Sequence, residues 1–456
     1  MDAAYLFARN FVTVTYGDLP GEVVEATKKE ILDLLGVALG GIAQPGATHV
    51  YKLVEEWGGR RESSVIGRNL KVPAPNAAQV NATMAHALDF DDVHEAAVIH
   101  PGIAVIPAVM AVGEAVGKLN GREFITATAL GVDMMCRLAL ATTPGRSPID
   151  LGWHLTSLFG FMGAAATAAR IMGLSEEKIV DAMGIAYHQC GGNGQCVKDG
   201  ALTKRLGPGF AVRGGVTAAL LAGAGVTGAR NVFEGEWGFY RQYMDGDYSR
   251  DTLAAELGIR FEGVNVAIKP YPCCRGIHPA IDAALAIAVD ENIRGADIKE
   301  IVLSVTDAHL ALLCSPLEAK CSPRSPVDAQ FSIPWGVASA IVGRRVGLDD
   351  FTESAIRNRE VLDVTRKMKV EVDNALQKQG PEPTRVKVTT NDGKTFVNLV
   401  ENPLGSLDRP MSFDDCAAKF SDCAKILDAE RIEKIIRQVK RLEYLEDAGE
   451  LIRLLT

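Results

Sequence analysis

The sequence predicts a mainly α fold, in which a large all-α domain is assembled from both ends of the chain and a smaller α+β domain is inserted between them. Three observations carry that expectation. Apolar residues recur at helical spacing up to about residue 268, between Gly/Pro turns. Strand-like alternation is confined to about 299–400. Charged amphipathic helix returns from Ser412 to the end. The expected boundaries are 1–268 and 401–456 for the helical domain and 269–400 for the insertion.

Taken in order, Asp18-Leu-Pro-Gly-Glu22 starts a helix over VVEATKKEILDLLGVALGG, where a glycine pair stops it. The same periodicity runs through GREFITATALGVDMMCRLAL, FGFMGAAATAARIMGLSEEKIVDAMGIAYHQ and VRGGVTAALLAGAG. Alanine and glycine dominate several of these stretches and permit close approach of helices. After Lys269-Pro-Tyr-Pro272 the pattern changes. Ile301–Thr306 and Lys367–Asp373 alternate like strands, and 385–400 reads as a hairpin turning at Asn391-Asp-Gly393. Helical stretches such as PAIDAALAIAV and PWGVASAIVG lie between them.

Composition narrows the function classes. At 456 residues, 47% hydrophobic and 23% charged, the chain reads as a soluble globular protein too long for one ordinary core. A net charge of −9 without long like-charge runs argues against nucleic acid or an anionic membrane as partner. Nine cysteines form no CxxC pair, which fits free thiols in a reducing cytoplasm and gives no zinc or iron–sulfur signature. MDAAYLFARNFV lacks the basic-then-apolar order of a secretion signal. The uncharged run from Leu151 to Ala169 raises the question of a membrane span, but it holds His154, Thr156, Ser157 and three glycines and ends on Arg170. A buried helix is the better reading.

Four places carry chemistry. The densest is 86–100, where His86, Asp89, Asp91, Asp92, His94, Glu95 and His100 sit between apolar stretches, although the chain has only eight histidines. So many ionisable groups in apolar surroundings must be paired, hydrated or in use. The second place is Gly152-Trp153-His154, ahead of the uncharged helix. A lone histidine there also fits a plain hydrogen-bonded structural role. The third is the glycine-rich loop in which Lys198, Lys204, Arg205 and Arg213 could clamp carboxylates or phosphates. It contains neither GxxxxGK[ST] nor a strand-borne GxGxxG, so no nucleotide site is supported. The fourth is Lys269-Pro-Tyr-Pro-Cys-Cys-Arg275-Gly-Ile-His278, where Arg275 and His278 are three apart.

The 86–100 cluster admits three chemical readings. Its histidines and carboxylates could hold a divalent ion, but at no specific ligand spacing. Asp91-Asp92-Val-His-Glu95 is similar to the DDxxE magnesium motif of class I terpenoid synthases, yet no second such motif exists and aromatics are only 6%. In the third reading, a carboxylate orients a histidine in an acid–base site while cations bind substrate carboxylates. Plain capping and pairing at a helix end is the alternative for Asp91, Asp92 and Glu95 individually.

Together the four places resemble the MmgE/PrpD family. The resemblance rests on an ordered set of motifs spanning essentially the whole chain: DLPGEVVEATKKEILDLLGVALGG; HALDFDD with His100-Pro101; GWH; Lys204 ahead of GGVTAALLAGAGVTGARNVFEG; KPYPCCRGIHPAIDAAL; and DAQFSIPWG. It implies the helical domain above, an α+β lid domain, a homodimer, and no metal or organic cofactor. It carries the family's active-site positions to Asp89, His100, His154, Lys204 and His278. Arg275 and Tyr271, in the same motif as His278, join Lys204 and His278 as expected substrate-binding residues.

Family activities include dehydration of 2-methylcitrate, decarboxylation of cis-aconitate and epimerisation of iminodisuccinate. All begin at a carbon beside a carboxylate. Val93 stands where the decarboxylase pattern has threonine, and the step from Asp89 to His100 is one residue longer. The resemblance therefore implies first a hydro-lyase acting on a di- or tricarboxylic acid, then a dicarboxylate epimerase, with decarboxylation behind both. The expected division of labour has His154 and His100 exchanging protons, Asp89 orienting one of them, and Lys204, Arg275 and His278 holding carboxylates.

Overall fold

A computed structural model describes residues 1–142, 151–376 and 383–456. They form two compact units, Met1–Ile268 with Ser412–Thr456, and Lys269–Met411.

In the first unit, local chemistry sets where helices begin. The Asp2 carboxylate accepts from the Ala4 amide at 2.9 Å, opening helix Ala3–Thr13. Asn120 caps helix Gly121–Leu140 by accepting from the Glu123 amide at 2.9 Å. Ser412 and Asp415 form a reciprocal capping box at the head of helix Phe413–Cys423.

Small residues then decide how closely the helices approach. Helix Thr203–Gly223 packs on Leu155–Ile171, Ala74–His86 and Glu176–Tyr187. A Cβ on Gly215 would lie 2.6 Å from both the Ala164 methyl and the Phe161 carbonyl, and one on Gly209 would lie 2.3 Å from Thr83 Oγ1. Only glycine allows these two contacts, which explains the Gly/Ala bias seen in the sequence. Helix Leu155–Ile171 is almost entirely buried. Among the described residues no helix is long and apolar enough to cross a membrane.

The C-terminal return is joined to the rest of this unit by Lys419. Its ammonium pairs with Asp33 at 2.5 Å, donates to the Phe90 carbonyl at 2.7 Å and lies 3.7 Å above the Phe90 ring. It thereby links helices Gly21–Gly41 and Phe413–Cys423 to the loop after His86. A two-residue antiparallel ladder, β1 (Ser63–Ser64) with β2 (Lys71–Val72), was not expected. Strands this short show no alternation to read.

The second unit holds one four-stranded sheet in the order β4-β3-β5-β6. Its strands are β3 (Ile298–Val305), β4 (Met368–Val372), β5 (Thr384–Thr390) and β6 (Thr395–Val400). β3 runs parallel to β4, with Ile301 opposite Met368, and antiparallel to β5, with Ile301 opposite Val388. The expected hairpin forms β5–β6 and turns at Gly393, whose φ of +85° is a left-handed conformation suited to glycine. Thr384, Val386, Val388 and Thr390 alternate inward from β5. The core joins this face to Ile281, Ala284 and Ile287 of helix His278–Asp290 and to Val337 and Ile341 of helix Ile333–Gly343.

Candidate active site

Three helices of the first unit deliver the ionisable side chains. Helix Ala74–His86 ends on His86, His154 is the N-cap of helix Leu155–Ile171, and Lys204 lies in the first turn of helix Thr203–Gly223. The loop between His86 and Gly102 supplies Asp89, Asp91, Asp92 and His100. The rings of His86 and His100 are 5.0 Å apart, and those of His86 and His154 are 6.0 Å apart. Three of the eight histidines thus share one cluster.

Asp89 was expected to orient a histidine. It takes a left-handed backbone conformation, φ +53°, which aspartate tolerates better than most residues, and its carboxylate forms an ion pair with the Lys204 ammonium. The carboxylate against His86 and His100 is Asp91. Its Oδ2 lies 2.8 Å from His86 Nδ1 and 3.2 Å from His100 Nδ1. His100 Nδ1 is also 2.6 Å from the Asp92 carbonyl. A carbonyl can only accept, so His100 carries a proton on Nδ1. The His100 amide donates to Thr156 Oγ1 at 3.0 Å, tying the loop to the helix that His154 begins.

Burial decides the charge states. Complete burial pushes His86 down to about 4, although Asp91 pulls the other way. Burial works against an ionised Asp91 as well, but the two imidazoles beside it and their hydrogen bonds hold its carboxyl well below the ordinary range. At neutral pH His86 is therefore a neutral donor to an ionised Asp91. His154 is also held well below its ordinary value, first by burial and then by His86, Lys204 and His100. Asp92 is raised well above the usual range by burial and by the charge of Asp91, while its Oδ2 accepts from the Gly102 amide at 2.9 Å.

Ser157 is a residue that the sequence reading did not single out. Its hydroxyl is 2.7 Å from His154 Nδ1. The only sequence signal was i, i+3 spacing from the histidine. Two glycines enclose the pair. The Gly192 carbonyl accepts from the His154 amide at 3.2 Å, and a Cβ on Gly207 would stand 2.3 Å from Ser157 Oγ. Gly207→Ala should therefore swing the hydroxyl off His154 and lower kcat about ten-fold. The gain in helix propensity, about 1 kcal/mol, offsets part of the clash. Steady-state rates beside a thermal melt check this; unchanged rates would show that the pair does not matter.

His154, Ser157, Lys204 and Gly207 line a cavity of about 250 Å³, with Phe161 and Phe210 as its apolar walls. That volume lies just below the range of about 300–1,000 Å³ typical of drug-sized ligands and suits a compact acid. A larger crevice of about 620 Å³ has Arg122, Glu123, Arg170 and Glu443 in its walls but no histidine. Its Arg170 is already paired with Glu123 at 2.7 Å. Chemistry, not size, selects the smaller cavity. Of the other loop cations, Arg205 donates to the Pro45 carbonyl at 3.2 Å and Arg213 stacks on Trp57. The Lys198 side chain lies outside the described residues.

Tyr271, Arg275 and His278 belong to the second unit, where all three are buried. Arg275 Nη1 donates to His278 Nδ1 at 3.1 Å, so His278 carries its proton on Nε2, 3.3 Å from the Cys273 carbonyl. Tyr271 donates to Asp282 at 2.6 Å and stacks edge-on against His278 at 5.2 Å. Asp282 also accepts from the Leu404 amide at 2.7 Å and from Arg409 at 3.1 Å. The sequence proximity of these three residues is thus real contact within that unit.

Among the described residues, His86, Asp91 and His100 are the one group of three close enough to share a metal ion. The protons on the two Nδ1 atoms already bridge to Asp91 and to the Asp92 carbonyl, which disfavours coordination through those atoms. The Asp91-Asp92-x-x-Glu95 run does not converge as a magnesium motif would. Asp91 faces histidines, and Asp92 faces the head of helix Gly102–Val116.

Comparison with known proteins finds relatives along nearly the whole chain. The chain is 28% identical to a cis-aconitate decarboxylase-like protein of Aspergillus oryzae over 98% of its own length and 96% of that protein's. It is 27% identical to a cis-aconitate decarboxylase of Aspergillus terreus, covering 96% and 92% of the two chains, and 28% identical to the cis-aconitate decarboxylase of Homo sapiens, covering 98% and 93%. Residues 6–251 match the MmgE/PrpD N-terminal domain and residues 271–443 the MmgE/PrpD C-terminal domain. The chain belongs to the MmgE/PrpD family.

Proposed function

We propose that this protein is a cofactor-independent hydro-lyase that dehydrates a di- or tricarboxylic β-hydroxy acid. The observation that supports it most is the placing of a neutral, half-buried histidine, His154, and a lysine, Lys204, in the walls of one small cavity. In this reading His154 removes the proton from the carbon beside a carboxylate. The negative charge that builds on that carboxylate is met by the Lys204 ammonium. His100 enters this step as an imidazolium: Asp91 and the Asp92 carbonyl hold its Nδ1 proton, and its Nε2 proton passes to the departing β-hydroxyl, leaving a neutral ring. A C–H and a C–O bond break, a C=C bond forms, and water leaves. Two imidazoles in such different environments suit opposite roles. Tyr271, Arg275 and His278 are proposed as further holders of substrate carboxylates.

Decarboxylation is a second reading, favoured by the names of the relatives above. It uses the same lysine and the same proton donor, delivering the proton to carbon as carbon dioxide leaves. Epimerisation is a third, with reprotonation on the opposite face. NMR in deuterated water over a panel of di- and tricarboxylates separates the three. Deuterium at the carbon beside the carboxylate together with loss of water is the expected result. Carbon dioxide release would replace the first reading by the second, and inversion alone by the third.

A further inference from the structure

The geometry points to Asp91 as the positioning residue of the site: its carboxylate, braced by His86, supplies the negative charge against which His100 holds a proton. The inference rests on the proposed role of His100 as proton donor. The Asp92 carbonyl at 2.6 Å already fixes which nitrogen of His100 is protonated, so that task needs no carboxylate. What a carbonyl cannot supply is a full charge. Asp91 Oδ2 supplies it 3.2 Å from the same nitrogen.

Asp91 is fully buried, where an ionised carboxylate is costly unless donors satisfy it. His86 is that donor. It is itself buried, and its Nδ1 gives the shortest hydrogen bond to Asp91. The other nitrogen of His86, Nε2, is buried and has no hydrogen-bond partner among the described residues. A leucine or phenylalanine would fill such a place at less cost if packing alone were required. The titratable groups facing this pair are Asp92 from the same loop, His154 from the head of its helix and Lys204 from the helix opposite. Neither His154 nor Lys204 offers His100 a negative charge, and Asp89 is engaged by Lys204.

Asp91→Asn keeps the shape and removes the charge. The expected result is a fall in kcat of about 30-fold with KM changing less than about 3-fold, and an alkaline limb of the pH–rate profile moved to lower pH by about one unit. Asp91→Glu, which restores the charge, should recover most of the rate. Equal losses in both variants with an unmoved limb would reduce Asp91 to a structural group and overturn the proposal. Nitrogen-15 NMR of the histidine rings in the resting parent enzyme supplies a readout that needs neither a substrate nor a folded variant. His100 should show its proton on Nδ1 and respond to the charge of Asp91, and a ring protonated on Nε2 alone would overturn the proposal even if the dehydratase reading stands. Absence of turnover on every acid in the panel, with His100 as expected, would instead count against the function and leave the positioning pair intact.

Discussion

His154→Ala is expected to lower kcat by at least about 100-fold while the protein stays folded. The ring sits at the head of helix Leu155–Ile171 but makes no side-chain capping bond there, so its loss removes no cap. Its value to the reaction comes from staying neutral. Burial disfavours the charged ring first, and His86, Lys204 and His100 add to that, against a smaller opposing pull from Asp89. A ring held well below its ordinary value gains a proton only on acidification well past that value, so the base form is fully populated at neutral and mildly acid pH. Steady-state kinetics with circular dichroism on the same sample checks this, and a folded variant at near-parent rate would remove His154 from the chemistry.

Lys204→Ala is expected to cost at least about 100-fold as well, and mostly in kcat. The charge on the carboxylate is greater at the transition state than in the bound acid, so loss of the ammonium is felt more there than in binding. A second effect has a definite direction. Lys204 pushes His154 down and Asp89 pushes it up. With the lysine gone, its downward push on His154 is lost while the upward pull of Asp89 remains, and His154 moves back toward its ordinary value. The residual rate should then fall off at higher pH on the acid side than the parent rate does. A Lys204→Ala enzyme with parent kcat and only a raised KM would show that the lysine binds the acid without stabilising its negative charge.

The helical core was legible because its signal is periodic. Alanine and glycine at helical spacing in 155–223 became close-packed helices, with Gly209 and Gly215 at points where no Cβ fits. The β5–β6 hairpin was legible from Asn391-Asp-Gly393 between alternating residues. The site was legible in part. The residue pattern alone drew attention to 86–100 and to His154, whereas the choice of Asp89, His100 and Lys204 within their segments came from the family resemblance. Which carboxylate serves which partner was not readable. In a helix or strand, spacing gives direction, but residues 87–101 are a loop whose backbone changes hand at Asp89 and at Val98. Two aspartates only two residues apart therefore reach different partners, Asp89 a lysine and Asp91 two histidines. Ser157 was hidden for another reason: a hydroxyl in an uncharged buried helix looks like any small helical residue until the loop carrying Gly192 is folded beside it.

The most direct measurement is deuterium wash-in from solvent at the carbon beside the carboxylate of whichever panel acid turns over, followed by NMR for parent and His154→Ala enzyme, each treated with EDTA. Exchange in the treated parent and its loss in the variant is the expected result. Exchange that persists in the folded variant, or that vanishes from the parent on chelation and returns with magnesium or manganese, would contradict a proton abstraction carried out by His154 without a metal.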